Sequence, residues 1–218
     1  MPRQEINNRF VLKATRRNSL LKVALGAILF TAFCGTAVSQ GVARADTPAD
    51  ATVQSVKTAK TVQFDVAEDA TRFAFDEEPL ESNGLPAYGN PFITQGYIYP
   101  YGTLNGSNGV NADGSPEFPD KVIGRWVCRG WVMGAQGLNT TTGPVVITHQ
   151  LYDFGTTPGS ATITTDGFEL ADLNVPVQRA IIGGTGQYRR ASGEAVQKLL
   201  GFNQLQGVSL RFDLKVER

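Results

Sequence analysis

Three tyrosines and one arginine are the side chains of this sequence best suited to binding a small oxygenated molecule. Tyr97 and Tyr99 stand two residues apart, so a strand through them would place both rings on one face. Each ring offers apolar area and a hydroxyl group, which suits an apolar ligand that carries oxygen. Arg125 interrupts an otherwise apolar stretch, where its guanidinium would point to solvent or anchor a carboxylate or enolate. Tyr152 ends a further apolar stretch, and we expect it to point inward toward the same ligand.

The same four residues also allow a structural interpretation. Aromatic residues on strands usually pack in a core or at its rim, and Arg125 would then be paired on the surface. The sequence leaves both interpretations open. It assigns no catalytic residue, because Cys128 is expected to be a buried, inert thiol. A nucleophile would need a base, and nothing in the spacing supports a pair with His149, the single histidine.

Two short motifs match ligand-binding loops only in part. The stretch 183–186 is rich in glycine, but the third glycine and the following helix of a dinucleotide site are missing, so we expect a tight turn between strands. Residues 111–117 alternate oxygen-bearing side chains without meeting the EF-hand template, which favours a solvated turn. A single histidine excludes a zinc site of two cysteines and two histidines. We predict no metal site and no cofactor.

The N-terminal 45 residues have the three parts of a signal peptide. A basic region precedes the apolar run 23–33, and small residues lead to Ala45, after which we expect cleavage and export to the periplasm, the envelope or the medium. The pair Arg16-Arg17 also fits the twin-arginine route. Without residues 1–45, 13 Lys and Arg remain against 19 Asp and Glu, a net charge of −6. An acidic domain has no electrostatic reason to bind nucleic acid or an anionic membrane, and we expect neither partner.

The rest of the chain predicts one β-domain over 61–218, preceded by a flexible leader over 46–60. Strand patterns recur at similar intervals with Gly and Pro turns between them and without a sustained helical period, which indicates a sandwich or a barrel. They cover 61–75, 91–104, 121–133, 144–154, 161–170, 175–182, 192–202 and 207–216. In the last segment Leu210, Phe212 and Leu214 face one way, and we expect them inside. The loop 102–120, crowded with Gly, Asn and Pro, has no predicted role.

The segment RAIIGGTGQYRRASGEAV (179–196) resembles the allene oxide cyclase and dirigent superfamily of β-barrels. Its glycine block, its aromatic residue and its Arg follow the dirigent pattern, although Ser192 stands where dirigent proteins often have arginine. The resemblance extends over about residues 91–216. It implies an eight-stranded antiparallel barrel, commonly trimeric, with an apolar interior. Such barrels hold a reactive lipid epoxide or phenoxy radicals and steer their cyclisation or coupling without a cofactor.

Three classes of function follow. The first is a cofactor-independent isomerase or cyclase, or a protein that steers coupling. The second is a lipocalin-like carrier of a small apolar or phenolic molecule, and the third is a structural, envelope-associated barrel filled by its own side chains. We expect an exported barrel that binds a small apolar, phenolic or lipid-like ligand and forms a homo-oligomer, a trimer by resemblance.

Overall fold

Eight long strands close into an antiparallel barrel. A computed structural model describes residues 59–217. The strands are β1 (Ala59–Glu68), β2 (Ala74–Phe75), β3 (Pro91–Pro100), β4 (Gly124–Val132), β5 (Pro144–Asp153), β6 (Thr162–Leu170), β7 (Pro176–Gly184), β8 (Ser192–Phe202) and β9 (Val208–Glu217). The barrel strands pair in the ring order β1-β9-β8-β7-β6-β5-β4-β3, with β3 pairing back to β1. The two-residue strand β2 pairs antiparallel with the start of β3. The predicted eight-stranded antiparallel barrel is confirmed.

The expected signal peptide, residues 1–45, and most of the expected leader, residues 46–60, lie outside the described residues. β1 begins at Ala59, so the barrel takes in the last two residues of that leader. The helical segments between residues 59 and 217 are 3-10 turns of three residues each. None of these turns has the length or the apolar character needed to cross a membrane.

Alternation along the strands decides which side chains fill the barrel. Leu210, Phe212 and Leu214 of β9 are buried in the main core, as predicted. Phe212 packs with Phe64 of β1 and Tyr152 of β5, and the three ring centroids lie 4.9 to 5.1 Å apart. These three rings form the aromatic layer of the interior. A layer of polar side chains lies next to it, toward the end of the barrel where β1 leads into β2.

The long loop between β3 and β4 packs against the outside of the barrel. Its residues Leu104 and Val110 are buried with Tyr97 and Tyr99 of β3 in a second apolar cluster. Asp65 of β1 holds the loop in place, because its carboxylate accepts a hydrogen bond from the backbone N–H of Leu104 at 2.9 Å. The part of β3 over residues 96–99 is therefore covered by protein on both of its faces.

The segment between β1 and β3 covers one end of the barrel. Phe73 stacks on the inward-facing Phe92, with ring centroids 5.4 Å apart, and both belong to the main core or pack against it. The side chain of Asn90 fastens the segment, since its Nδ2 donates to the carbonyl oxygens of Asp76 and Pro79, each at 2.9 Å. This end of the barrel, beside the polar layer, is closed by aromatic packing.

Candidate functional site

A buried carboxylate stands at the centre of the polar layer inside the barrel. Glu169 of β6 is only 7% exposed. Its Oε1 accepts hydrogen bonds from Thr148 Oγ1 at 2.7 Å and from Gln150 Nε2 at 2.8 Å. Its Oε2 accepts from Gln197 Nε2 at 2.9 Å. Side chains of β5 and β8 therefore converge on one carboxylate of β6 as neutral donors, and hydrogen bonds of this kind stabilise a buried carboxylate.

Gln150 joins this carboxylate to the aromatic layer. Its Oε1 accepts hydrogen bonds from Tyr152 Oη at 2.6 Å and from Trp126 Nε1 at 3.1 Å, while its Nε2 donates to Glu169. Tyr152 Oη also lies 3.1 Å from the hydroxyl of Thr165. Because the interior excludes water, burial raises the pKa of Tyr152 and keeps its phenol protonated. Each polar atom of Gln150 is thus fixed in orientation by its partners.

Arg179 of β7 is a buried cation that joins neighbouring strands of the barrel next to this network. It is 2% exposed, and its guanidinium donates to the carbonyl oxygens of Gly167 at 3.1 Å, Phe168 at 3.0 Å and Thr148 at 2.8 Å. The paired register of β6 and β7 runs from Ile163↔Gly184 to Asp166↔Ala180. Gly167 and Phe168 lie beyond the last of these pairs. The guanidinium of Arg179 therefore donates hydrogen bonds to carbonyl groups of β6 where the backbone of β7 is not paired with them.

The charge of Arg179 is balanced mainly by carbonyl groups. Among residues 59–217, no carboxylate oxygen lies within 4.0 Å of its nitrogens. A side chain at Gly167 would place its Cβ 3.3 Å from the Cα and Cγ of Arg179, so the glycine makes room for the arginine. These contacts indicate that Arg179 connects β7 to β6 beyond the end of their paired register.

Glu68, at the end of β1, is a second buried carboxyl group. Its Oε1 accepts from Thr94 Oγ1 at 2.6 Å, and its Oε2 accepts from the backbone N–H of Val208 at 2.8 Å. Burial raises the pKa of Glu68 from 4.5 to about 7, against the opposing effect of these two hydrogen bonds, and the nearby charge of Glu169 adds to the rise. The interior therefore holds one carboxyl group that changes its charge near neutral pH.

Cys128 belongs to the edge of the network and is not paired with His149. Its Sγ lies 3.5 Å from Glu169 Oε1. Burial and the charge of Glu169 raise the pKa of the Cys128 thiol well above its ordinary value, so the thiol stays protonated and unreactive. His149 is on the opposite, outer face of the sheet, where its Nδ1 lies 3.7 Å from Asp166 Oδ2.

The structure brings three of the four predicted site residues together, but on the outside of the barrel. The guanidinium carbon of Arg125 lies 4.6 Å from the ring centroid of Tyr97. Tyr97 Oη donates to the carbonyl oxygen of Gly114 at 2.8 Å, and Tyr99 Oη donates to that of Gly109 at 2.6 Å. Burial raises the pKa of Tyr99 to about 12. Both tyrosine hydroxyls are therefore engaged by the backbone of the long loop.

Tyr152, the fourth predicted residue, lies inside the barrel in the polar network, away from the other three. A recess of about 60 Å³ lies beside Tyr97 and Arg125. That volume accommodates about two water molecules, whereas ligand pockets measure roughly 300–1,000 Å³. A ligand-binding role for Tyr97, Tyr99 and Arg125 stays a prediction.

The comparisons with known proteins concern the fold. No protein-family model and no curated protein matches the sequence. Two pterocarpan synthase dirigent proteins of known structure align with TM-scores of 0.53 and 0.54 and 15% identity, covering 79% and 74% of this chain and 99% and 96% of theirs. The chain has the barrel fold of the dirigent proteins. A structure of pyocyanin demethylase covers 72% of this chain and 99% of its own length, with 16% identity and a TM-score of 0.45.

In this dirigent-type barrel, the glycine block that carried the resemblance connects β7 to β8, as the sequence predicted. Gly186 has a φ of +55°, and a Cβ there would collide with the carbonyl oxygen of Ser160. Thr185 Oγ1 donates to the carbonyl oxygen of Gly159 at 2.6 Å. The block therefore ties two neighbouring loops together at the end of the barrel opposite Glu68.

Sequence reasoning missed the residues at the centre of the dirigent-type barrel. They are polar side chains at positions that alternate with buried apolar ones: Glu68, Gln150, Glu169, Arg179 and Gln197. A signal was present in β8, where Gln197 stands two residues from both Ala195 and Leu199 and therefore shares their inward face.

Proposed function

We propose that this chain is an exported barrel protein that binds a small apolar molecule bearing a hydroxyl group, such as a phenol or an oxidised lipid. The polar group of the ligand is directed to Glu169, and its apolar body lies against the aromatic layer. The proposal uses the side chains of the barrel interior and no cofactor. Export is the part of the proposal that rests on the N-terminal sequence pattern alone.

The observation that carries the proposal is the convergence of polar side chains on Glu169 in the barrel interior. Buried polar groups oppose folding unless they are fully paired, and well-packed apolar residues of similar volume often serve stability as well or better. A barrel that needed only a stable core would have little use for Glu169, Gln150 and Gln197 at inward positions. Clustered buried polar and titratable groups are instead typical of functional sites.

A ligand hydroxyl would enter this network by exchanging hydrogen bonds. Besides the weak thiol donor Cys128, Glu169 accepts from three neutral side-chain donors, so a phenol can replace one of these three and donate to the carboxylate. Of the three, Thr148 has a freely rotating hydroxyl and needs the smallest adjustment. A hydrogen bond to a charged acceptor contributes about 1.5–3 kcal/mol, which corresponds to roughly a tenfold to hundredfold gain in affinity over a ligand without the hydroxyl.

One observation favours a second function, that of a structural barrel filled by its own side chains. The polar groups around Glu169 are bonded to one another, and the rings of Phe64, Tyr152 and Phe212 pack together without solvent exposure. In this second function the network gives the barrel one defined packing arrangement, and no ligand enters.

A pair of probes separates the two functions. Trp126 reports on the interior because its indole donates to Gln150, and Trp131→Phe leaves it as the only tryptophan of the chain. The emission of Trp126 is followed during titration with 4-propylphenol and with propylbenzene, which share an apolar body. We expect the phenol to bind about tenfold more tightly or better.

Two variants provide the controls. Glu169→Gln is expected to abolish the preference for the phenol, whereas Glu194→Gln, an exposed residue on β8, is expected to preserve it. If neither probe changes the emission or raises the unfolding temperature up to its solubility limit, the ligand proposal is wrong and the filled barrel stands.

The stronger form of the proposal is that the barrel steers the cyclisation or coupling of its ligand. This form follows the resemblance, and it is tested by oxidising 4-propylphenol with an external one-electron oxidant in the presence and absence of the protein. A change in the ratio of coupled regioisomers supports steering. An unchanged ratio together with binding identifies a carrier of the lipocalin kind.

A further inference from the structure

Arg179 has one hydrogen-bond donor more than the barrel engages. A guanidinium carries five N–H groups. Four of these have acceptors: Nε donates to Thr165 Oγ1 at 3.3 Å, Nη1 to the carbonyl oxygens of Gly167 and Phe168, and Nη2 to that of Thr148. Within the part of the chain that the structure describes, the second N–H of Nη2 has no acceptor. This donor belongs to a cation that is almost wholly removed from solvent.

Thr148 places the unused donor beside Glu169. Its carbonyl oxygen accepts from Arg179 Nη2 at 2.8 Å, and its hydroxyl donates to Glu169 Oε1 at 2.7 Å. Arg179 and Glu169 form no ion pair, so each charge is left with neutral partners in the described residues. An oxygen atom that enters at Thr148 can therefore accept from the guanidinium and donate to the carboxylate.

We infer that Arg179 binds the oxygen of the ligand's hydroxyl group, and that the site thereby selects acidic hydroxyl groups, phenols before alcohols. The inference rests on the proposed function, because it names the second contact of the hydroxyl group that donates to Glu169. A buried guanidinium stabilises negative charge on the oxygen to which it donates. A phenol develops more of this charge than an alcohol does when it donates to a carboxylate, since its conjugate base is more stable.

In the limiting case the bound phenol transfers its proton to Glu169. The O–H bond of the ligand breaks and a bond forms between the proton and a carboxylate oxygen. The total charge of the site stays the same, because the phenolate takes over the charge that the carboxylate loses. The charge of Arg179 already acts on a buried phenol at Tyr152, where it lowers the pKa against the larger, opposing effect of burial.

Two pairs of probes measure the selection without any change to the site. Comparison of 4-propylphenol with propylbenzene gives the affinity gained from a phenolic hydroxyl. Comparison of 4-propylcyclohexanol with propylcyclohexane gives the affinity gained from an alcohol on a ring of similar size. The emission of Trp126 in Trp131→Phe reports each dissociation constant. We expect the phenolic gain to exceed the alcoholic gain about tenfold or more, because a nearby opposite charge favours the ionised form of a group by this factor.

A second measurement follows the ionisation of a bound phenol directly. 4-Nitrophenol absorbs visible light strongly only as the phenolate, so its absorbance at saturating protein gives the pH at which half of the bound probe is ionised. We expect this midpoint to lie about one pH unit or more lower in wild type than in Arg179→Met. Arg189→Met removes an exposed arginine and should keep the wild-type midpoint.

Equal gains from the phenolic and the alcoholic hydroxyl would overturn the inference and leave the proposed function intact. Equal midpoints in wild type and Arg179→Met would have the same consequence. If Arg179→Met does not fold, the two pairs of probes decide alone. Failure of all four probes to bind would overturn the proposed function, and the inference with it.

Discussion

Glu68 is predicted to make the stability of the barrel depend on pH between mildly acidic and neutral conditions. Its pKa is 4.5 in an ordinary environment and about 7 in the folded barrel, because burial penalises the charged form. The folded state therefore holds this proton more tightly than the unfolded state does. Below pH 4.5 both states are protonated and this group carries no penalty. Between pH 4.5 and 7 only the unfolded chain ionises, so the free energy of unfolding falls as the pH rises.

The size of the effect follows from the shift in pKa. A difference of one pKa unit corresponds to about 1.4 kcal/mol, so a rise from 4.5 to about 7 corresponds to roughly 3 kcal/mol lost above neutral pH. Glu68→Gln mimics the protonated group, since its amide oxygen can accept from the backbone of Val208 and its NH₂ can donate to Thr94. The variant should lack the pH dependence contributed by Glu68 and be more stable than wild type at pH 8 by up to about 3 kcal/mol.

Urea unfolding at pH 5 and at pH 8 measures this difference. The quantity compared is the difference in the free energy of unfolding between Glu68→Gln and wild type at each pH, because pH effects that the two proteins share cancel in it. Glu194→Gln, exposed on β8, is the matched control and should follow the wild-type pH profile. If Glu68→Gln and wild type have parallel profiles, the folded barrel does not hold Glu68 protonated and the electrostatic argument fails.

Four further predictions test the packing and the processing of the chain. Arg179→Met should lower the free energy of unfolding by about 3 kcal/mol or more, measured with urea, because it leaves three buried carbonyl oxygens without their donor. Tyr97→Phe and Tyr99→Phe should each cost about 1 kcal/mol through loss of the bond to the loop, whereas a purely ligand-binding role would leave the melting temperature unchanged. Leu210→Ala should cost about 2–5 kcal/mol in the same assay, and a smaller loss would contradict its place in the core. Intact-mass measurement of the exported protein should find a chain that begins at Asp46, and retention of residues 23–45 would refute cleavage.

The strand pattern could be predicted because most strands have one buried and one exposed face. In β9 the inward Leu210, Phe212 and Leu214 alternate with polar residues, so the sequence carries the period of the strand directly. The number of strands and their closure into an antiparallel barrel followed from the resemblance. These local rules hold for most of the barrel.

Whether Tyr97 and Tyr99 point into the barrel or away from it could not be predicted from the sequence, and the reason is physical. Residues 96–99 are all buried, because the barrel interior covers one face of β3 and the long loop covers the other. Alternation correctly placed the two tyrosines together, but it cannot tell an inward face from an outward one when both are covered. The loop itself gave no signal, since its glycines and asparagines are also typical of solvated turns.

The central network was missed because its residues look like surface residues in sequence. Gln150, Glu169 and Gln197 come from three strands and meet only when the barrel closes, so no spacing along the chain links them. Polar residues at inward positions also weaken the alternation that would reveal which face is buried. Sites built from such residues are where local rules are expected to fail.

The closure of the barrel by β1 sets the order in which the chain can fold. β1 is the first barrel strand to be synthesised, yet one of its two partners is β9, the last, and the ion pair between Asp65 and Arg211 joins residues 146 positions apart. Before β9 is available, β1 and β8 both have open edges that can pair with other chains. Contacts of such long range form slowly, so the nascent chain passes through a stage in which it is exposed to aggregation. A truncation that removes β9 should therefore prevent the barrel from closing, because only seven of its eight strands remain.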